Sequence, residues 1–480
     1  MVETQVKDVH HDFEAQPPEQ QVKRLYGLRP DENAPTQDVR YEKMYLGVVA
    51  KRLDSTIDVG FSVHDGTYNM DYAWHSIPVK HSAAEELSDY VIARLRKYEA
   101  EQRYKFLGAG LTDGTLEICP CLAARMWAEL DIVTLVFRPD YTQPTYALQY
   151  DADVDEQADS MARKCVIRFG PNNQPRLSIG LRNEVDVDVG GEAMLATIGQ
   201  YEKSVGPRTW QAIQHYISGL KRDQIRIAFF NSTPQGGGVA LMRHALVRFA
   251  RLAGVHMQWF VPKPKPEVFR ITKTNHNILQ GVASPEECLS DDQAETIRAW
   301  TEVNAQRFWL SKRGPLRAVK DGGAHIVIVD DPQMPYICKL AKEADPDRPV
   351  IFRSHIQIRA DLVDNEPDSP TAKVFDWLWS YAKYADLFVA HPVKAFVPAK
   401  VSKEKVLYLP ATTDWLDGLN KELSVQDSIF YMSEYNNHCI ESKQPQLAFP
   451  ARDYIVQIAR FDPAKGIDTV VRAYGELRRN

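Results

Sequence analysis

Polar and charged side chains follow four short apolar runs, at the points where each run would end as a β-strand. They lie in Asn231-Ser232, Asp330–Gln333, Arg353–His355 and His391-Pro392. Asp and Asn at such places often do no more than cap the following helix, and this interpretation stays open for Asp330. It accounts less well for Arg353 and His355, because neither is a preferred capping residue. A carboxylate, an amide, a guanidinium and an imidazole that converge on one crevice would suit a polyhydroxylated ligand.

Three consecutive glycines, Gly236 to Gly238, separate the first of these runs from a helical pattern. Such a turn lets a ligand approach the backbone and presents the unpaired amides of a helix N-terminus to an anion. It also fits a dinucleotide site or simple close packing. No Gly-Lys-Ser/Thr follows, as a phosphate-binding P-loop requires. The next strand leads into Val261–Lys265 instead of the acidic residue that would hold a ribose, which argues against NAD.

Two further segments are rich in hydrogen-bond donors. The segment 270–281 reads as a loop that contains Lys273 and His276, and a solvated loop would look the same. Near the end of the chain, Arg460 and Lys465 flank the passage from a predicted strand to a predicted helix. Two cations beside a helix N-terminus could clamp a phosphate, although exposed basic residues at a turn are an equally simple interpretation.

Strand and helix patterns alternate after Gln224 and predict the scaffold that would position these residues. A 3-4-3-4 apolar stripe runs through Val239, Met242, Leu246, Phe249 and Ala253 to Gly254, which ends the helix. Repeated βα units of this kind form a doubly wound parallel sheet, and ligands bind at the carboxyl ends of its strands. The predicted strands are 225–230, 256–261, 326–330, 349–353, 387–390 and 406–409, and the main intervening helices are 291–312 and 371–384.

The whole chain divides into five regions. We predict a polar arm over 1–40, an α+β extension over 41–215, the parallel-sheet domain over 216–414, an irregular linker over 415–451 and an incomplete second βα domain over 452–480. The last of these consists of a strand over 453–458 and a helix over 466–477. In the extension the patterns predict hairpins at 48–63 and 165–181 and helices at 83–104 and 121–130.

Composition excludes several classes of protein. Of the 480 residues, 44% are hydrophobic and 25% are charged, as in ordinary soluble domains, and a net charge of −6 argues against a nucleic-acid-binding protein. The N-terminus lacks a secretory apolar segment. The sequence also contains no uninterrupted run of about 18 apolar residues, which a membrane-spanning helix would need. Cys119-Pro-Cys121 is the only close pair among six cysteines, so we expect reduced thiols, no zinc site and a cytoplasmic protein.

Five segments resemble the retaining GT-B glycosyltransferases of family 4, and within them the trehalose synthases and trehalose phosphorylases. They are NSTPQGGGVALM, TKTNHNILQG, VIVDDPQ, FRSHI and QIARFDPAKGIDTV, which occur in the family's order between residues 231 and 470. The α+β extension is similar to that of the fungal trehalose phosphorylases, also described as clock-controlled gene 9 proteins. The resemblance thus implies a GT-B fold, in which two Rossmann-like domains face each other.

The resemblance also implies a reaction and a set of residues. The reaction is reversible phosphorolysis of α,α-trehalose to glucose and α-glucose 1-phosphate, with phosphate as a substrate and neither metal nor pyridoxal phosphate. Arg460 and Lys465 would bind phosphate, with help from the Gly237 and Gly238 amides. His355 would face the transferred sugar. The residues implied at the glucose subsite are Asp331, Gln333 and Arg353, with Lys273 and His276 as additional contacts.

The donor specificity and the completeness of the site stay open at this point. The family's donor domain carries a pair of glutamates beyond the point that corresponds to Gly466, and this chain ends at Asn480. We therefore expect the 480-residue chain by itself to be inactive. The alternatives are a trehalose synthase that uses a nucleotide sugar and a non-catalytic sugar-binding or regulatory protein. Expected partners are trehalose, glucose and phosphate, and a homodimer built through the extension stays open.

Overall fold

The computed structural model describes residues 41–138, 152–170, 173–416, 421–449, 451–452 and 454–479. The predicted arm over 1–40 lies outside the described residues. The strands are β1 Glu42–Arg52, β2 Thr56–His64, β3 Asn69–Pro78, β4 Tyr104–Thr112, β5 Val133–Phe137, β6 Ser178–Ile179, β7 Val185–Asp186, β8 Arg226–Phe230, β9 His256–Phe260, β10 Ile326–Asp330, β11 Val350–Arg353, β12 Leu387–Ala390 and β13 Val406–Tyr408. The helices are α1 Ala83–Gln102, α2 Asp113–Ile118, α3 Leu122–Leu130, α4 Val154–Arg168, α5 Asp188–Gly191, α6 Ile198–Lys203, α7 Pro207–Arg222, α8 Gly238–Ala253, α9 Pro266–Leu279, α10 Asp291–Asn304, α11 Tyr336–Ala344, α12 Ala360–Asn365, α13 Pro370–Ala382, α14 Val425–Glu441 and α15 Ile467–Leu477.

The first sheet has the strand order β3-β2-β1-β4-β5. The β1–β2 and β2–β3 pairs are antiparallel, whereas β1–β4 and β4–β5 are parallel. The first predicted hairpin is therefore confirmed, and helices α1 and α3 form close to their predicted bounds. Leu87 and Val91 of α1 and Met126 of α3 pack against one face of the sheet.

The second predicted hairpin, over 165–181, is wrong because Cys165 belongs to helix α4. Residues Ala158, Met161, Ala162 and Cys165 recur at helical spacing and are buried against the other face of the first sheet. Glycines in the strands permit this close approach. A Cβ atom on Gly47 of β1 would lie 1.8 Å from the Ala158 carbonyl oxygen. Two of the predicted turn residues, 171 and 172, lie outside the described part of the chain.

The second sheet consists of six parallel strands in the order β13-β12-β11-β10-β8-β9. Each predicted strand forms within one residue of its expected bounds. Helix α8 covers one face, through Ala240 and Val247, while α9, α10, α11 and α13 cover the other. The chain leaves β8 toward β9 and then returns to the opposite side at β10. The topological switch point, where open α/β sheets bind ligands, thus lies between β8 and β10.

Helix α14 occupies part of the segment that we expected to be irregular. Ser424 caps it, since its hydroxyl accepts a hydrogen bond from the Asp427 amide at 3.1 Å. The helix packs on the extension through Phe430, which joins the core around Tyr45 and Leu107. The stretch between the parallel sheet and the C-terminal segment is therefore anchored on the extension.

A buried ionic cluster secures this contact. Lys105 of β4 is fully buried, and its Nζ lies 2.7 Å from Asp427 Oδ1 of α14 and 3.4 Å from Asp131 Oδ2. Asp131 in turn accepts a hydrogen bond from the Tyr431 hydroxyl at 2.6 Å and pairs with Lys421. Charges this deeply buried are stable only as a set, because removing one leaves its partner desolvated and uncompensated.

The strand predicted over 453–458 does not form over 454–458, the part of it that the structure describes. Residues 454–460 have no regular structure, and Ile455, Val456 and Ile458 are exposed. A strand needs a neighbour to accept and donate its backbone hydrogen bonds, and the part of the chain that the structure describes supplies none here. The helix that follows, α15, is confirmed. Among the described residues no helix is both long and apolar enough to cross a bilayer.

We expect replacement of Lys105 to weaken the anchored contact far more than loss of an exposed lysine. Lys105→Met should lower the free energy of unfolding by about 3–5 kcal/mol, because Asp427 loses the cation that lies 2.7 Å from its carboxylate. Lys97 pairs with Glu101 at 3.7 Å and both are more than half exposed, so Lys97→Met should cost less than about 1 kcal/mol. Urea unfolding followed by tryptophan fluorescence would compare them, and equal midpoints would contradict a stabilising role for the cluster.

Candidate active site

The glycine-rich turn follows β8 at the switch point. Asn231, the first residue after the strand, is buried and accepts a hydrogen bond from Trp259 Nε1 at 2.7 Å. Gly237 has φ 107° and ψ 162°, a conformation that a side chain would strain, and α8 begins at Gly238. A Cβ atom on either glycine would meet no atom within 4 Å. The first turn of α8 therefore faces open space, as an anion site requires.

The Asp331 carboxylate connects three of the predicted residues. Asp331 has a left-handed backbone with φ 70°. Its Oδ1 accepts a hydrogen bond from the His355 amide at 3.2 Å, and its Oδ2 accepts one from Gln333 Nε2 at 3.4 Å. Its own amide donates to the Arg353 carbonyl at 2.7 Å. The ends of β10 and β11 are thus joined through this residue.

His276 joins this group from helix α9, on the face of the sheet opposite α8. It lies on α9, so the loop predicted over 270–281 is wrong for most of its length. Its Nε2 lies 3.1 Å from Gln333 Nε2 and 3.8 Å from Asp331 Oδ2. Because an amide nitrogen can only donate, His276 Nε2 accepts that bond and the ring proton belongs on Nδ1.

Charges from the C-terminal segment reach His276. Burial lowers the pKa of the His276 imidazole; the Asp331 carboxylate opposes this shift and the positive charge of Arg460 adds to it, with smaller effects of Asp462 and Lys465. Arg460 is mostly exposed and lies 3.5 Å from the buried Asp462 carboxylate. Lys465 ends a short 3-10 turn and is exposed. The structure therefore brings the two predicted phosphate ligands to the side of the site where His276 lies.

His355 is held at several points. Its side chain is only 5% exposed, and its Nε2 lies 3.0 Å from Asp330 Oδ1. Its carbonyl oxygen accepts a hydrogen bond from His391 Nε2 at 3.1 Å. Its Nδ1 has no hydrogen-bond partner among the described residues. The ring is thus fixed in place through Nε2, and Nδ1 stays available for a further hydrogen bond.

Two residues of this site were not expected from the sequence. Asp330 is almost fully buried and lies between His355 and Arg243, whose Nε is 2.8 Å from Asp330 Oδ2. We left Asp330 open as a helix cap and did not consider Arg243. The buried stripe of α8 runs through Ala240, Arg243, Val247 and Ala250, one position away from the stripe that we predicted. The small residues at 240 and 250 were the signal that could have placed Arg243 against the sheet.

Two predicted site residues do not join the group. Arg353 donates to the Pro410 carbonyl at 3.3 Å, and burial lowers the pKa of its guanidinium against the opposing charge of Asp330. It therefore points toward the end of β13 instead of toward Asp331. Lys273 is exposed on α9 and forms no ion pair with any residue that the structure describes.

The arrangement is a crevice edge that carries acceptors, donors and a nearby pair of cations. Asp331, Gln333 and His276 offer both donors and acceptors, as recognition of sugar hydroxyls requires. The open turn at Gly237 and the cations at Arg460 and Lys465 suit an anion. Over the described ranges, no group of three or more His, Cys, Asp or Glu side chains is arranged to hold a metal ion.

Comparison with known families divides the chain into two matching parts. Residues 43–175 match the family described as the trehalose phosphorylase-like N-terminal domain. Residues 229–398 match the family described as the trehalose synthase N-terminal domain. The first match covers most of the first sheet, and the second covers the switch point together with Asp330, Asp331 and His355.

The matches to individual relatives extend further along the chain. The trehalose phosphorylase of Pleurotus pulmonarius is 40% identical over 98% of this chain, which spans 70% of that protein. The trehalose phosphorylase of Pleurotus sajor-caju is 40% identical with similar coverage, 98% and 71%. The trehalose synthase of Thermococcus litoralis is 28% identical over 60% of each chain. Identity at this level over nearly the whole chain establishes that it belongs to the trehalose phosphorylase family.

Proposed function

We propose that the protein cleaves α,α-trehalose with phosphate, reversibly, to give glucose and α-glucose 1-phosphate with retained configuration. The observation that carries the proposal is the 40% identity to trehalose phosphorylases over 98% of the chain, which includes the described site. The trehalose synthases match a shorter part of the chain at lower identity, 28% over 60%. They support an alternative in which the glucosyl donor is a nucleotide sugar.

The domain division follows from the same proposal. In a GT-B enzyme the sheet over 216–414 would be the acceptor domain, and 452–480 would open the donor domain. The sequence from Arg460 to α15, a cationic turn before a helix, is the part that would bring phosphate to the acceptor side. The influence of Arg460 on the pKa of His276 supports this arrangement, because charge effects of that kind require proximity.

In the proposed reaction the glycosidic bond breaks as a phosphate oxygen approaches the anomeric carbon. The phosphate approaches from the same face of the sugar ring as the one from which the leaving glucose departs, so the configuration is retained. Phosphate gives its proton to the leaving oxygen, so atoms and charges balance without an enzyme carboxylic acid. The protein then has to hold phosphate and both glucose units in place and to stabilise the oxocarbenium-like state. We assign phosphate to Arg460, Lys465 and the Gly237 and Gly238 amides.

The glucose subsite in this proposal centres on His355. Asp331 and Gln333 would hydrogen-bond hydroxyls of the transferred sugar, and His276 would take part through Gln333. Arg353 would act from the rim of the crevice, and Lys273 would contact the sugar only from the exposed face of α9.

The proposed function predicts that the full-length gene product forms glucose 1-phosphate from trehalose only when phosphate is present. The assay would follow glucose 1-phosphate and glucose in equal amounts. A parallel incubation with nucleotide-glucose and glucose, but no phosphate, would measure trehalose synthesis. Trehalose formed there, with no phosphorolysis, would favour the synthase alternative over the proposal.

Removal of the His355 ring should abolish most turnover while the fold is retained. We expect His355→Ala to lower kcat by at least about 100-fold, equivalent to roughly 2.7 kcal/mol, since small displacements near the anomeric centre are costly in the transition state. The control is His438→Ala, because the His438 side chain is 78% exposed on α14. Near-normal kcat would show that His355 has no role in the reaction. A large fall in melting temperature would show that the role of His355 is structural instead.

Loss of Arg460 should act chiefly through phosphate. Arg460→Ala removes one charge-assisted contact worth about 1.5–3 kcal/mol, so KM for phosphate should rise roughly tenfold to 100-fold, with little change in KM for trehalose. Arg472 lies further along the C-terminal segment, on α15, so Arg472→Ala provides a matched loss of one positive charge. An unchanged phosphate KM in Arg460→Ala would refute the assignment.

A further inference from the structure

A buried chain of three side chains runs from helix α8 to His355. Arg243 Nε lies 2.8 Å from Asp330 Oδ2, and Asp330 Oδ1 lies 3.0 Å from His355 Nε2. Arg243 and Asp330 are 2% and 1% exposed, so water screens neither contact. The Arg243 guanidinium also lies over the Phe229 ring, 4.4 Å from its centroid. An arginine buried at this expense of hydration is retained only with good compensation.

The chain determines which ring nitrogen of His355 carries the proton. Asp330 meets the Arg243 guanidinium as an ion pair, and an ionised carboxylate can only accept hydrogen bonds. His355 Nε2 must therefore donate. In the neutral ring the lone pair then lies on Nδ1, which is the nitrogen without a partner among the described residues. Nδ1 is therefore a hydrogen-bond acceptor to which no described residue donates.

Arg243 has a second effect, on the orientation of Asp330. Its guanidinium meets Asp330 Oδ2, whereas Oδ1 is left for His355. The carboxylate is therefore held with one oxygen toward each partner.

From this geometry we infer that Arg243 and Asp330 are positioning residues, which hold His355 with its proton on Nε2 so that Nδ1 accepts a hydrogen bond from a sugar hydroxyl. The inference rests on the proposed function for the identity of the ligand. It assigns no contact with substrate to Arg243 or Asp330. Both act through His355, and neither residue was among the expected site residues.

The inference predicts an effect on the ring that a purely structural role does not. In Arg243→Met the Asp330 carboxylate loses the partner of Oδ2 and is free to turn away from His355, so both ring tautomers become accessible. The kcat should then fall about tenfold to 100-fold while the melting temperature is retained. Arg243→Lys keeps a cation beside Asp330 and should lie between the two.

A control and a second variant guard against trivial loss of structure. Arg248 lies on the same helix and pairs with Asp188, so Arg248→Met loses a comparable ion pair and should keep the wild-type kcat. Asp330→Asn is nearly isosteric but replaces a group that can only accept by an amide, whose NH2 group can donate to Nε2 and so permits the other tautomer. It should lower kcat at least about tenfold. A wild-type kcat in Arg243→Met, or a loss no greater than that in Arg248→Met, would overturn the inference.

A measurement that needs no activity separates this inference from the proposed function. Spectra of protein labelled with 15N-histidine report which ring nitrogen is protonated, and loss of one signal in His355→Asn would assign it. We expect protonated Nε2 and unprotonated Nδ1 in the free wild-type protein, and a mixture of the two tautomers in Arg243→Met. The opposite tautomer in the wild type would refute the inference even if phosphorolysis is observed. The expected tautomer without phosphorolysis would leave the positioning role standing and refute the proposed function.

Discussion

Two adjacent carboxylates at the end of β10, Asp330 and Asp331, hold the candidate site together. Asp330 points into the interior, where it meets Arg243 from α8 and the His355 ring. Asp331 reaches the His355 amide and the Gln333 side chain. The left-handed backbone at Asp331 allows consecutive side chains to serve these different partners. Because β10 borders the switch point, the same two residues connect the crevice to the turn that follows β8.

The extension contributes to the site from a distance. Its core accepts Phe430 of α14, and its buried Lys105 pairs with Asp427 on the same helix. Helix α14 lies between the parallel sheet and the segment that carries Arg460 and Lys465. Anchoring that helix limits the positions that the cationic turn can reach, so the extension restricts the approach of phosphate in the proposed reaction. An extension without catalytic residues of its own can therefore still matter for catalysis.

The sequence predicted the scaffold well where periodicity was strong. The central strands β8, β10 and β11 are largely buried and form continuous apolar runs. The bounds of all six parallel strands were predicted within about one residue. Helix α9 was read as a loop because it is rich in polar residues, and the tertiary contact of His276 with Gln333 cannot be read from the sequence. Helix α14 was missed because its buried face includes Asp427 beside Phe430, an ionic contact that no apolar pattern reveals. The site followed the same rule. Strand-end residues such as Asp331 and His355 could be predicted, whereas Arg243 could not, because a buried arginine depends on a carboxylate 87 positions away in the chain.

Charge compensation distinguishes the two cationic parts of the site. Arg243 is buried and committed to Asp330, so it is in no position to attract an incoming anion. Arg460 is mostly exposed, and its partner Asp462 lies 3.5 Å away, a looser contact. A phosphate that arrived there would compete with Asp462 for the guanidinium while it met Lys465 at no such cost. Burial lowers the pKa of the His276 imidazole, so this ring adds little positive charge, and Arg460 and Lys465 of the C-terminal turn supply positive potential on this side of the crevice. Phosphate attraction in the proposed reaction would thus depend strongly on the position of that turn, while the Gly237 and Gly238 amides would receive the anion on the acceptor side.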